Sequence, residues 1–114
     1  MRLDADQHVV CEQYGVPFVA SPPDLLVGIA RTPHSPDLPI NGLRHPPVGN
    51  TTGWYLWVGE YSSDADFFAP LHVSHVNERL PAALAYLGLP PGWRFLIAPG
   101  HEDVWFDPTL LDVS

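Results

Sequence analysis

The sequence predicts an α+β fold: one small domain over residues 1–114, with a mostly antiparallel sheet and one or two helices packed on it. Three observations predict it. The chain has 114 residues, a usual size for one domain, long enough to bury roughly two-thirds of its unfolded surface. Four short apolar runs, residues 25–30, 54–58, 93–98 and 103–107, read as strands. Leu80, Leu84 and Leu87 form a helical stripe that can pack on them.

The elements follow in order. Asp4 with Gln7 three residues later resembles a capping box, Val10 and Tyr14 share one helical face, and Gly15 offers a left-handed stop, which predicts a helix over 5–14. After the turn-rich VPFVASPPD, the run LLVGIA reads as a buried strand. Residues 32–53 carry five prolines and several glycines, which predicts a long ordered loop without regular structure. In GWYLWV both alternating sets are apolar, so this strand is expected to be covered on both faces, with Trp54 in the core. The acidic EYSSDAD after it belongs at the surface.

Downstream, LHVSHV reads as an extended piece, because Pro81 would clash with a helix running through it. A helix over 80–88 follows, with Pro81 in its first turn and Gly88, Pro90 and Pro91 as its stop. WRFLIAP and EDVWFDP read as two strands joined through Pro99-Gly100.

Charge narrows the partners. Five arginines, no lysine and thirteen acids give a formal net charge of −8, which argues against nucleic acid and anionic membrane and favours a basic protein partner. Cys11 is the single cysteine, so an internal disulfide or a Cys-based zinc site is excluded and a cytoplasmic location is expected. The opening MRLDADQHVV lacks the apolar core of a signal peptide, and no stretch approaches the ~20 apolar residues of a membrane helix.

Candidate chemistry is sparse. His72 and His75 could chelate zinc on a helix, but on an extended segment their odd separation points them apart, and His101-Glu102-Asp103 adds three potential ligands elsewhere. Structural histidines, no metal and no cofactor are the expectation. Cys11 lacks the surroundings of a nucleophile, and Ser62, Ser63 and Ser74 lack a strand elbow. Glu60, Asp64 and Asp66 could hold a hard cation, yet their spacing matches no calcium loop, and a solvated turn is the plainer reading. Beside them lie Trp57, Tyr61, Phe67 and Phe68, and aromatic anchors rimmed by acids suit recognition of a basic protein. The expected partner-binding residues are Glu60, Tyr61, Asp64, Asp66 and Phe67.

The order of motifs is also familiar: an apolar strand ending in Arg31, a loop, Thr52-Gly53-Trp54-Tyr55-x-Trp57-x-Gly59-Glu60 with further acids, then a proline-led helix from Pro81 to the turn Leu89-Pro90-Pro91-Gly92. This resembles the immunity-protein-33-like group, small α+β domains of bacterial polymorphic toxin systems. The resemblance covers about residues 24–111 and leaves the 5–14 helix outside it. It implies a cytoplasmic protein that binds and neutralises a toxin domain and performs no chemistry. Two other classes stay open: a small metal- or cysteine-dependent enzyme, and a homodimeric structural domain.

Overall fold

A computed structural model of the chain describes residues 3–30, 39–64 and 66–112. Among these residues six strands form one sheet: β1 (Leu26–Ala30), β2 (Ile40–Arg44), β3 (Thr51–Val58), β4 (Phe68–His72), β5 (Trp93–Ala98) and β6 (His101–Phe106), in the order β4-β1-β3-β2-β5-β6. The β1–β3 pair is parallel and the other four pairs are antiparallel. The fold is therefore α+β with a mixed sheet, bounded by the edge strands β4 and β6.

One face of this sheet carries the helices. Helix α1 (Leu3–Tyr14) buries Gln7 and, three and four residues on, Val10 and Cys11, and ends at Gly15 with φ +69°. It starts at Leu3, two residues before the expected start, and the buried Gln7 amide donates to the Leu84 carbonyl at 2.9 Å. The second helical region is corrected as well. Extended structure stops at His72, Val73–His75 is a 3-10 turn, and α2 (Val76–Arg79) is followed by a 3-10 segment, Pro81–Tyr86. The break sits at Leu80, at φ −141° and ψ 70°, because the proline ring disfavours a helical conformation in the residue before it. Leu80, Ala83, Leu84 and Leu87 are nevertheless buried, as the stripe requires.

The core lies between this layer and the sheet, with Val27, Ile29, Trp54, Leu56 and Phe95 facing Val76, Leu84 and Leu87. Trp54 is 1% exposed, and its indole N–H donates to the Leu87 carbonyl at 3.1 Å. The expectation of a loop without regular structure over 32–53 is corrected in part: β2 runs through its middle and β3 begins at Thr51, while residues 45–50 between them form the loop. Residues 32–38 lie outside the described residues. The prolines flank β2 rather than interrupt it. Its core-facing set is Ile40, Gly42 and Arg44, so no apolar alternation announces the strand.

Arg44 is 1% exposed. Its guanidinium donates to four carbonyls: Nε to Thr52 at 2.9 Å, Nη1 to Val19 and Leu89 at 2.8 Å each, and Nη2 to Ala20 at 3.0 Å. It also lies 5.6 Å from the Trp54 ring centroid. Burial lowers its pKa to about 10, which still leaves it charged at neutral pH.

Candidate partner-binding surface

Among the described residues, the opposite face of the sheet carries no helix. Strand alternation turns Tyr55 and Trp57 onto it, while Trp54, Leu56 and Val58 join the core. The expectation that β3 is covered on both faces is thus corrected: Tyr55 remains 38% exposed. Trp57 is buried in a small aromatic cluster with Ala30 and Phe67, against which Leu43 and Phe68 pack. Register extends this surface across all six strands, through Pro70, Gly28, Tyr55, Leu43, Arg94 and Trp105 as successive partners. At the far end Arg94 lies 5.4 Å from the Trp105 ring and donates to Asp107 at 3.2 Å. The Thr109 hydroxyl first, and Arg94 after it, hold the Asp107 carboxyl below its ordinary range.

The acidic turn leaves β3 through Gly59, whose φ of +76° suits glycine and whose N–H donates to the Pro39 carbonyl at 2.9 Å. Asp64 N–H donates to the Ser62 hydroxyl at 3.2 Å, and Phe67 N–H to the Asp64 carbonyl at 3.0 Å. Glu60, Asp64 and Asp66 are exposed. Tyr61 is 60% exposed and meets Trp57 edge to face at 5.5 Å and Phe67 at 5.8 Å. Phe67 itself is buried, so of the five expected residues four reach solvent and Phe67 supports Tyr61 from beneath. Sequence reasoning placed Phe68 beside the acidic turn but missed Leu43, His45, Tyr55 and Trp105. Period-two alternation continued into β2 would have placed Leu43 beside Tyr55, had that strand been recognised.

The residues considered for chemistry are dispersed. In β6, His101 pairs with Asp103 at 2.8 Å on the open face, while Glu102 turns to the helical face and accepts from the Tyr14 and Tyr86 hydroxyls. Burial first, then Glu102, raises both tyrosine pKa values. His75 lies in the 3-10 turn beyond β4, so the strand argument for splitting it from His72 does not apply to it. The two rings stand 6.3 Å apart, and His75 instead meets Glu78 at 3.2 Å. Among the described residues no group of three or more His, Cys, Asp or Glu is placed to hold a metal ion. Cys11 Sγ is buried 3.3 Å from the Gly88 carbonyl, and desolvation raises its pKa, partly offset by Arg44. Among the described residues no helix is long and apolar enough to cross a membrane.

The model of the Imm33-like domain matches residues 6–107. The chain belongs to the Imm33-like domain family. Comparisons with the curated proteins and with the solved structures find no match. The Imm33-like match corrects the expected span, because it begins inside α1 rather than after it. The packing gives the reason: α1 lays Gln7 and Cys11 against carbonyls of residues 84 and 88, which makes it part of the helical layer of this Imm33-like domain.

Proposed function

We propose that this Imm33-like domain is a cytoplasmic immunity protein that neutralises a cognate toxin domain by binding it directly, with no catalytic step and no cofactor. Membership of the Imm33-like family supports the role. The observation that carries the binding reading is an exposed aromatic, Tyr61, seated on a ring cluster beside Glu60, Asp64 and Asp66 in a chain of net charge −8. Rings supply area and rigidity, and the acids steer a basic protein toward them.

The test first searches the reading frames adjoining this one for a toxin domain and then uses the one found there; finding none would itself count against the reading. Co-expression is expected to restore growth, and titration is expected to give a complex whose association slows as salt rises. A variant carrying Glu60→Gln, Asp64→Asn and Asp66→Asn should associate more slowly, with a flatter salt dependence. Equal rates and slopes would remove the acidic turn from the binding surface. Absence of both rescue and complex would sink the immunity reading itself.

A further inference from the structure

Two clefts formed by the described residues lie on the open sheet face. One, of about 230 Å³, is lined by Gly28, Thr51, Tyr55, Phe68 and Pro70 among others. The second, of about 200 Å³, is lined by Leu43, His45, Tyr55, Tyr61 and Phe68. They share Tyr55 and Phe68, whose rings meet edge to face at 5.1 Å. Each is smaller than the roughly 300–1,000 Å³ of a site that encloses a small molecule. That size suits one protruding side chain, as when an interface hot spot receives an anchor.

Their walls are already fixed. Gly28 leaves room for the Tyr55 ring, since a Cβ there would stand 2.7 Å from its Cδ1. His45 meets Tyr55 edge to face at 5.7 Å, and its Nδ1–H donates to the Leu110 carbonyl at 2.9 Å. That bond holds the His45 ring in the wall of the second cleft. Rings that hold one another lose little freedom on binding, which favours tight association for a given area.

Charge selects the visitor. Of the described arginines, Arg44 is buried in the opposite layer, Arg94 is held by Asp107, and Arg79 stands exposed at the end of α2. Tyr61, a wall of the second cleft, belongs to the turn that carries Glu60, Asp64 and Asp66. We infer that the paired clefts receive two apolar side chains of the toxin domain, set beside arginine or lysine residues that face this acidic turn. This rests on the immunity reading above.

The deciding experiment titrates the toxin domain identified in the adjoining reading frames into wild type, Tyr55→Ala, Gly28→Ala and the helical-layer control Val9→Ala, with folding of each checked by circular dichroism. Tyr55→Ala should weaken binding about thirty-fold or more, mostly through faster dissociation. Gly28→Ala adds no charge and should weaken it by displacing the Tyr55 ring, and Val9→Ala should bind as wild type. In the wild-type complex, NMR cross-saturation from the toxin should reach the Tyr55 and Phe68 rings. A toxin that binds wild type, spares both cleft variants and leaves those rings unsaturated overturns the cleft inference while the immunity reading stands. A toxin that does not bind wild type overturns both. Dimerisation of wild type that Tyr55→Ala abolishes would assign the face to a second copy of this chain and overturn the toxin assignment.

Discussion

At the scale of single residues, Arg44 has the largest consequence. Its cation has no carboxylate among its hydrogen-bond partners; four carbonyls from three separate segments accept its N–H groups. Removing it leaves those acceptors, two of them fully buried, without their partner, so Arg44→Met should cost about 3 kcal/mol or more, read from denaturant midpoints. Arg44→Lys should recover little, because three ammonium donors cannot reproduce a planar fork. Trp54→Ala should cost about 3–5 kcal/mol for a buried indole, and a variant melting with wild type would contradict its place in the core. Cys11 gives a chemical test. With its thiol pKa raised by burial, the reactive thiolate is scarce at pH 8, so alkylation should be slow in the native state and fast in denaturant. Trp54 was legible as core from the sequence because a large ring headed an apolar strand. Arg44 was not, because a lone arginine in a proline-rich stretch looks like solvent-facing loop.

At the scale of elements, β2 carries the lesson. It is a central strand between β3 and β5, yet its core face offers isoleucine, glycine and arginine. Gly42 is small because the Phe95 ring lies over it, and an added Cβ would collide with that ring. Gly42→Ala should therefore destabilise by about 1–3 kcal/mol through overpacking, and a thermal melt matching wild type would refute that packing. Strands β1, β3 and β5 were legible because apolar runs mark buried strands directly. The β5–β6 pair was legible through Pro99-Gly100, although β6 starts at His101 rather than at 103. The helical layer was half legible. Leucine spacing gave the buried face, but Pro81 divides the segment into a four-residue α-helix and a 3-10 run. Spacing alone does not distinguish those from one continuous helix.

At the scale of the whole molecule, two unequal faces define the domain. The helical face is sealed by α1, so a chain starting after Gly15 should expose the core surface under Val10 and Cys11 and unfold at lower denaturant with a less cooperative transition. A truncated chain as stable as the full one would make α1 an appendage. The acidic turn was legible in the sequence, whereas the aromatic stripe beside it was not, since it is assembled by register among six strands and includes the unrecognised β2. The sheet's borders limit how anything can attach. On one border, Pro70 in β4 withholds an N–H that an added strand would need. On the other, β6 opens with His101, Glu102 and Asp103, charges and polar groups that discourage strand addition. A visitor extending the ladder at either rim would meet a missing donor or a hydrated, acidic margin. Concentrated solutions of this aromatic-rich chain should therefore resist fibre formation, and the surface left for recognition is a broadside rather than a rim.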